Sequence, residues 1–236
     1  MLTRGSQYSP SEGRIKPADG RPAQIQVLLV DDHPAVRMGA RKLIDDQPDM
    51  RVAAEARSAG EALGRLHDHF DVAIVDYHLG AGRDGLWLTA QLKRWDLAPR
   101  VLVYSAFADG ALAVAALIAG ADGLLGKQEL GHELCRAIRR LAGGQHHHPA
   151  ITPSVAQVMR GRLEPRDQAI FAMLLHGIAP DTIAERLAIT DEELHARRSI
   201  MRRSLKPVRA PSTLPTGARS PLDYERPKRR ASRRAA

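Results

Sequence analysis

Between residues 25 and 142 the chain alternates five times between a short apolar run and a longer stretch of helical period. That alternation leaves little choice of fold. Ile25-Gln26-Val27-Leu28-Leu29-Val30 is too apolar for a strand with one wet face and fits a strand buried on both sides. Val36, Met38, Ala40, Leu43 and Ile44 then mark a helix over about 34–46. Residues 51–55 read as a weaker strand, and Ser58 with Glu61 three residues on is a capping-box pattern that opens a second helix. Val72-Ala73-Ile74-Val75-Asp76 is a third strand, followed by a Gly-rich loop and a helix over 85–95. The fourth strand is 101–105, with an Ala-rich helix at 108–120. The fifth is 123–125, with a helix at 129–142. This order predicts an α/β fold, a five-stranded parallel doubly wound sheet with right-handed crossovers. Such sheets bind ligands beyond the carboxyl ends of their strands. Asp31, Asp32, Asp76, Ser105 and Lys127 all stand at those ends.

The remaining sequence divides by texture. Residues 1–24 are rich in Gly, Pro, Ser and charge and read as a disordered leader. Residues 143–162, with His146, His147 and His148, read as a linker; consecutive histidines converge poorly on a metal, so a polar linker is the simpler reading. Residues 163–205 predict a small all-α helix-turn-helix domain with helices near 165–176, 180–187 and 191–205. Residues 206–236 read as a disordered basic tail.

Charge follows this division. The net charge of +8 suggests an anionic partner, nucleic acid first. Yet residues 25–205 hold 22 basic and 23 acidic side chains, whereas 206–236 hold nine basic against two acidic. The global excess therefore sits in the ends. Local charge is more informative: His195, Arg197, Arg198, Arg202 and Arg203 lie on one candidate recognition helix, where Arg can read guanine or hold phosphates. No apolar run approaches the roughly 20 residues that span a bilayer, and no secretory signal is present, so no membrane partner is expected. Cys135 is the single cysteine, which excludes an internal disulfide and fits a cytoplasmic setting.

The acidic set carries the chemistry. Crowded carboxylates repel unless a cation stands among them, and oxygen ligands with retained waters suit Mg²⁺. A carboxylate held there can attack phosphorus to give an acyl phosphate. Lys127 can pair with the phosphoryl oxygens and Ser105 can donate a hydrogen bond to one.

These residues bring residues 25–142 close to a known pattern. Val27 to His33, Ala73 to Asp76, Val103 to Ala106 and Gly120 to Lys127 resemble the receiver domain of two-component response regulators. The resemblance implies Asp76 as phosphoacceptor and a cognate histidine kinase as donor. It implies Asp31, Asp32, Asp76 and the backbone carbonyl of His78 around Mg²⁺, with Ser105 and Lys127 as the switch pair. Two departures stand out. Leu124 replaces the usual aromatic residue three before the lysine, and 79–85 lacks the usual proline and carries one extra residue. Leu163-x-Pro165-Arg166-Asp167, His176 to Ala179 and Ile183 to Thr190 resemble the LuxR-type helix-turn-helix of the NarL/FixJ class. That resemblance implies double-stranded DNA as partner and a homodimer as assembly. Asp181 and Glu193 depart from it at positions that usually favour DNA.

The reading is a DNA-binding response regulator and not an enzyme. The alternatives are a receiver that acts through protein contacts or without phosphate, and a Mg²⁺-dependent aspartyl phosphatase. The phosphatase needs a carboxylic acid two residues after its nucleophile, where this chain has His78. The glycines at 80, 82 and 85 match a dinucleotide loop in spacing, but they follow the third strand rather than the first and read as a plain loop.

Overall fold

The computed structural model describes residues 24–80, 83–95 and 97–205. The expected leader, apart from Gln24, and the basic tail lie outside the described residues, as do two residues of the Gly-rich loop. Five strands form one parallel sheet: β1 (Ile25–Val30), β2 (Met50–Ala56), β3 (Val72–Asp76), β4 (Arg100–Ser105) and β5 (Gly123–Gly126). Their order is β2-β1-β3-β4-β5, as a doubly wound sheet requires. Five helices cover its faces: α1 (Pro34–Asp45), α2 (Ala59–Gly64), α3 (Gly85–Leu92), α4 (Gly110–Ala119) and α5 (Gly131–Ala142). One face buries Val27, Leu29, Ile74 and Leu102 against α1 and α5; the other buries Leu28, Val30, Ala73 and Val75 with α2 and α3. The strand alternation of side chains thus supplies two cores from one sheet.

Local signals explain the element starts. The Ser58 hydroxyl accepts from the Glu61 amide, but the Glu61 carboxylate reaches back to the Arg57 amide, one residue before the cap. Asp84 caps α3 through the Trp87 amide, and Asp109 caps α4 through the Leu112 amide. Gly120 ends α4 in the left-handed region at φ 92°.

The linker expectation needs correction. Residues 153–160 form a helix, α6 (Pro153–Arg160), inside the span read as linker. Thr152 caps it, Pro153 opens it, and its Val155 and Met159 join an apolar cluster with α4, so packing outweighs the weak local signal. The expected three helices follow as α7 (Pro165–Leu175), α8 (Pro180–Leu187) and α9 (Asp191–Ser204). Met159, Leu163, Ile170, Phe171, Leu174, Ile183, Leu194 and Met201 form one core with Val114 and Ile118 of α4. The module is therefore docked on the sheet domain through the outer face of α4. The inner face of α4, with Leu112, Ala113, Ala115 and Ala116, packs on Val103 and Leu124. A helix apolar all round must be covered on both sides, and GALAVAALIA is such a helix.

The histidines are not a free linker segment. His147 forms an isolated parallel bridge with Gly123, extending the sheet edge. Both ring nitrogens of His148 are buried without a hydrogen bond.

Asp122 ties the end of α4 to the sheet, accepting from Lys93, Arg100 and the Val101 amide, each at 2.8 Å. Burial alone would raise its carboxyl, yet these donors, Lys93 foremost, hold it below the ordinary value. Asp122→Asn should lower stability by about 2–3 kcal/mol in urea titrations at neutral pH, because Lys93 and Arg100 lose their counter-charge. Burial also pushes His148 down to about 4 from 6.5. The unfolded chain therefore takes up a proton that the folded chain refuses. Stability should fall, by on the order of 2 kcal/mol, as pH drops from about 6.5 towards about 4. Thermal melts of His148→Phe across that window should show a shallower loss.

Candidate functional site

The strand register builds the site. Val30 stands beside Val75, so Asp31 and Asp76 emerge side by side where the strand order reverses. Asp76 also pairs with Tyr104, which sets Ser105 one step beyond it. Ser105 pairs with Gly126, and the Lys127 amide donates to the Ser105 carbonyl at 2.7 Å. Four adjacent strands thus deliver their last residues to one edge.

Lys127 closes that edge. Its Nζ lies 2.6 Å from Asp31 Oδ2 and 2.8 Å from Asp76 Oδ2. Asp31 and Asp76 are 1% and 3% exposed, so their repulsion is not screened by water. Burial pushes the Asp76 carboxyl up; Lys127 opposes this, and neighbouring Asp31 reinforces it. Burial would lower the Lys127 ammonium, but its bonds to the two carboxylates outweigh that and leave it raised. The ring of Tyr104 stands 6.0 Å from the ammonium.

The remaining expected residues are placed as follows. The His33 amide donates to Asp31 Oδ1 at 2.8 Å, and the His78 amide to Asp76 Oδ1 at 3.3 Å. Asp32 is partly exposed, and its Oδ1 stands 2.7 Å from His33 Nδ1. That contact lacks hydrogen-bond geometry, so the shielded oxygen has no hydrogen-bond partner. Ser105 is buried with its hydroxyl turned to the backbone of Phe107, at 3.2 Å from the amide and 3.3 Å from the carbonyl. Leu124 is buried in the core beneath α4.

Asp31, Asp32, His33 and Asp76 bring ligand atoms within 4.8 Å of one another, the one such group of potential metal ligands among the described residues. His33 was not expected from sequence, although it adjoins the Asp pair. Three clustered carboxylates, with Asp32 Oδ1 shielded and lacking a hydrogen bond, fit a hard divalent ion that keeps its waters.

Gly85, read in sequence as part of a plain loop, is set directly against the backbone of the site. A Cβ there would sit 2.0 Å from the Asp76 carbonyl oxygen, and the Gly85 amide donates to the Tyr77 carbonyl at 2.9 Å. The Asp84-Gly85 pair, a cap followed by a residue without a side chain, was its signal. Arg37 was also missed: its guanidinium donates to the Asp31 carbonyl at 2.7 Å and pairs with Glu55 at 3.2 Å, holding the end of β1.

The basic residues of α9 are mostly turned inward. Arg197 forms an ion pair with buried Asp167 of α7 at 3.2 Å. Arg198 Nε donates to the Ile118 carbonyl of α4 at 2.8 Å. Arg202 is 8% exposed and His195 is half-buried, both facing the sheet domain. Arg203 alone of the five is exposed. No helix among the described residues is long and apolar enough to cross a membrane.

Comparison with known proteins agrees with this geometry. Residues 27–139 match the response regulator receiver domain family. The chain is 31% identical over 194 residues to the nitrate/nitrite response regulator protein NarL of Escherichia coli strain K12, spanning 76% of this chain and 89% of that one. It is 33% identical over 177 residues to the transcriptional regulatory protein UhpA of Salmonella typhimurium, spanning 74% and 88%. A crystal structure of a LuxR-family two-component response regulator from Aurantimonas sp. superposes with a TM-score of 0.51 at 35% identity, covering 60% of this chain and all of that one. A receiver fold with an acidic pocket, joined to a helix-turn-helix module and matched over both parts by such relatives, has one assignment: the chain belongs to the response regulators of the NarL/FixJ type.

Proposed function

We propose that Asp76 is the phosphoacceptor of this DNA-binding response regulator, and that its phosphorylation controls release of α9 from the sheet domain. The carrying observation is the Lys127 ammonium held between Asp31 and Asp76 at the strand ends. A carboxylate with a fixed cation beside it is positioned to become an acyl phosphate. An Asp76 carboxylate oxygen attacks phosphorus while the bond from phosphorus to the donor histidine of a kinase breaks and the imidazole leaves with the electron pair. Lys127 then exchanges its Asp76 contact for a phosphoryl oxygen, which keeps the new charge paired. Asp31, Asp32, Asp76 and the carbonyl of His78 would hold Mg²⁺, which supplies charge neutralisation for the entering phosphoryl group.

The response runs through β4. Rotation of the Ser105 hydroxyl from Phe107 towards the phosphoryl group frees the loop that leads to the Asp109 cap of α4. The outer face of α4 carries Val114 and Ile118, on which the module sits. In the docked form Arg198, Arg202 and His195 face inward and cannot also face a DNA groove. Release would expose them beside Arg203, whereas Arg197 stays engaged with Asp167 and supports the module itself. A homodimer on double-stranded DNA and placement in the cytoplasm accord with the family. Domain limits of 25–142 for the receiver and 153–205 for the helical module accord with the two cores joined at α4. The interaction-only and phosphatase alternatives have no comparable observation in their favour.

Three measurements test this. Acetyl phosphate with Mg²⁺ should label wild type and not Asp76→Asn; equal labelling would remove Asp76 from the role. Gly85→Ala should destabilise the chain by about 3 kcal/mol and depress labelling, because the new methyl must displace the Asp76 carbonyl. Ile118→Gln places a polar amide in the docked interface while adding no charge. It should raise DNA affinity by about tenfold or more in fluorescence anisotropy. Unchanged affinity in a folded variant would contradict control by docking.

A further inference from the structure

The docked arrangement creates a small cleft of about 40 Å³, open to solvent, between α3, α4 and α9. Lys93, His195, Arg198, Ser199 and Arg202 line it, the last four on one face of α9 at helical spacing. Its charge balance is unusual for an interior surface. Lys93 has a counter-ion in Asp122. Arg198 has only an uncharged acceptor, the Ile118 carbonyl, and burial pushes its guanidinium down to about 10. Arg202 is more than nine-tenths buried, and its Nη1 has no hydrogen-bond partner. Asp84 offsets part of the charge on Arg202, while Arg83 and Arg203 add to it. His195 is lowered first by burial and then by Arg94, Arg198 and Arg202.

A buried guanidinium without a counter-charge is costly, and its planar fork matches a tetrahedral oxyanion. We propose that this cleft binds a phosphate group, free or borne on a small metabolite, and that the bound anion clamps α9 to α4. Arg198 and Arg202 supply donors from one helix, and Ser199 stands between them with a hydroxyl that completes a polar cradle. The anion neutralises the charge that otherwise opposes docking, so it stabilises the arrangement in which α9 faces inward. The site is separate from the carboxylate edge and needs no phosphate on Asp76, although it rests on the docked arrangement that the proposed function describes.

The test uses the full chain carrying Asp76→Asn in metal-free buffer with EDTA, so that phosphate has no route to the carboxylate pocket. Inorganic phosphate, pyrophosphate and a sugar phosphate are titrated separately by calorimetry at constant ionic strength, with chloride as control. Saturable binding in at least one arm, with a raised melting temperature, is expected. Binding by inorganic phosphate assigns the free ion; binding only by the other two assigns a phosphorylated metabolite. Arg202→Met should weaken binding by about tenfold or more. Ser199→Glu places a carboxylate in the cleft and should abolish binding while the chain still melts cooperatively. No saturable binding by the Asp76→Asn chain in any arm overturns the proposal, as does binding unaltered by both cleft substitutions.

Discussion

One ammonium organises the carboxyl edge of the sheet. Lys127 leaves β5, reaches past β4 and lies within 2.8 Å of carboxylates from β1 and β3. Two buried carboxylates at adjacent strand ends cannot both stay charged without such a partner. The desolvation of all three groups makes the arrangement a weak source of net stability. Its effect lies in geometry, because it fixes which oxygens face inward and leaves Asp76 beside a fixed cation. The His33 and His78 amides and the Arg37 guanidinium hold the same edge from its flanks.

The second constraint is the double coverage of α4. Its inner face completes the core over β4 and β5, and its outer face completes the core of the helical module. A shift of α4 therefore disturbs two cores together, and close-packed cores do not deform continuously. The loop from Ser105 to Asp109 joins the carboxylate edge to the start of this helix. The distance from chemistry to docking surface is thus one short loop and one helix.

Much of this was legible in sequence. The short apolar runs and strand-end polar residues specified the sheet, its strand directions and the convergence of Asp31, Asp76, Ser105 and Lys127, because a parallel sheet brings all strand ends to one edge. The cap at Ser58 was equally local. The helix at 153–160 was not legible, since Val155 and Met159 gain their partners only from α4. The inward turn of Arg198 and Arg202 was hidden for the same reason: a stripe of arginine looks alike whether it faces water, DNA or another domain. One clue lies in α4 itself. GALAVAALIA has no polar face, so its residues alone imply a second covering layer.

The bond from Arg198 to the Ile118 carbonyl has an evolutionary consequence. A backbone acceptor is not removed by substitution, so this one bond can outlast a change of side chain at position 118, whereas the apolar contacts of Ile118 cannot. The opposite partner, the Arg198 side chain, is open to substitution. Substitution at position 198 would therefore loosen the contact between α9 and α4 at once. A change of this one side chain thus acts on the packing between domains as well as on the surface of α9.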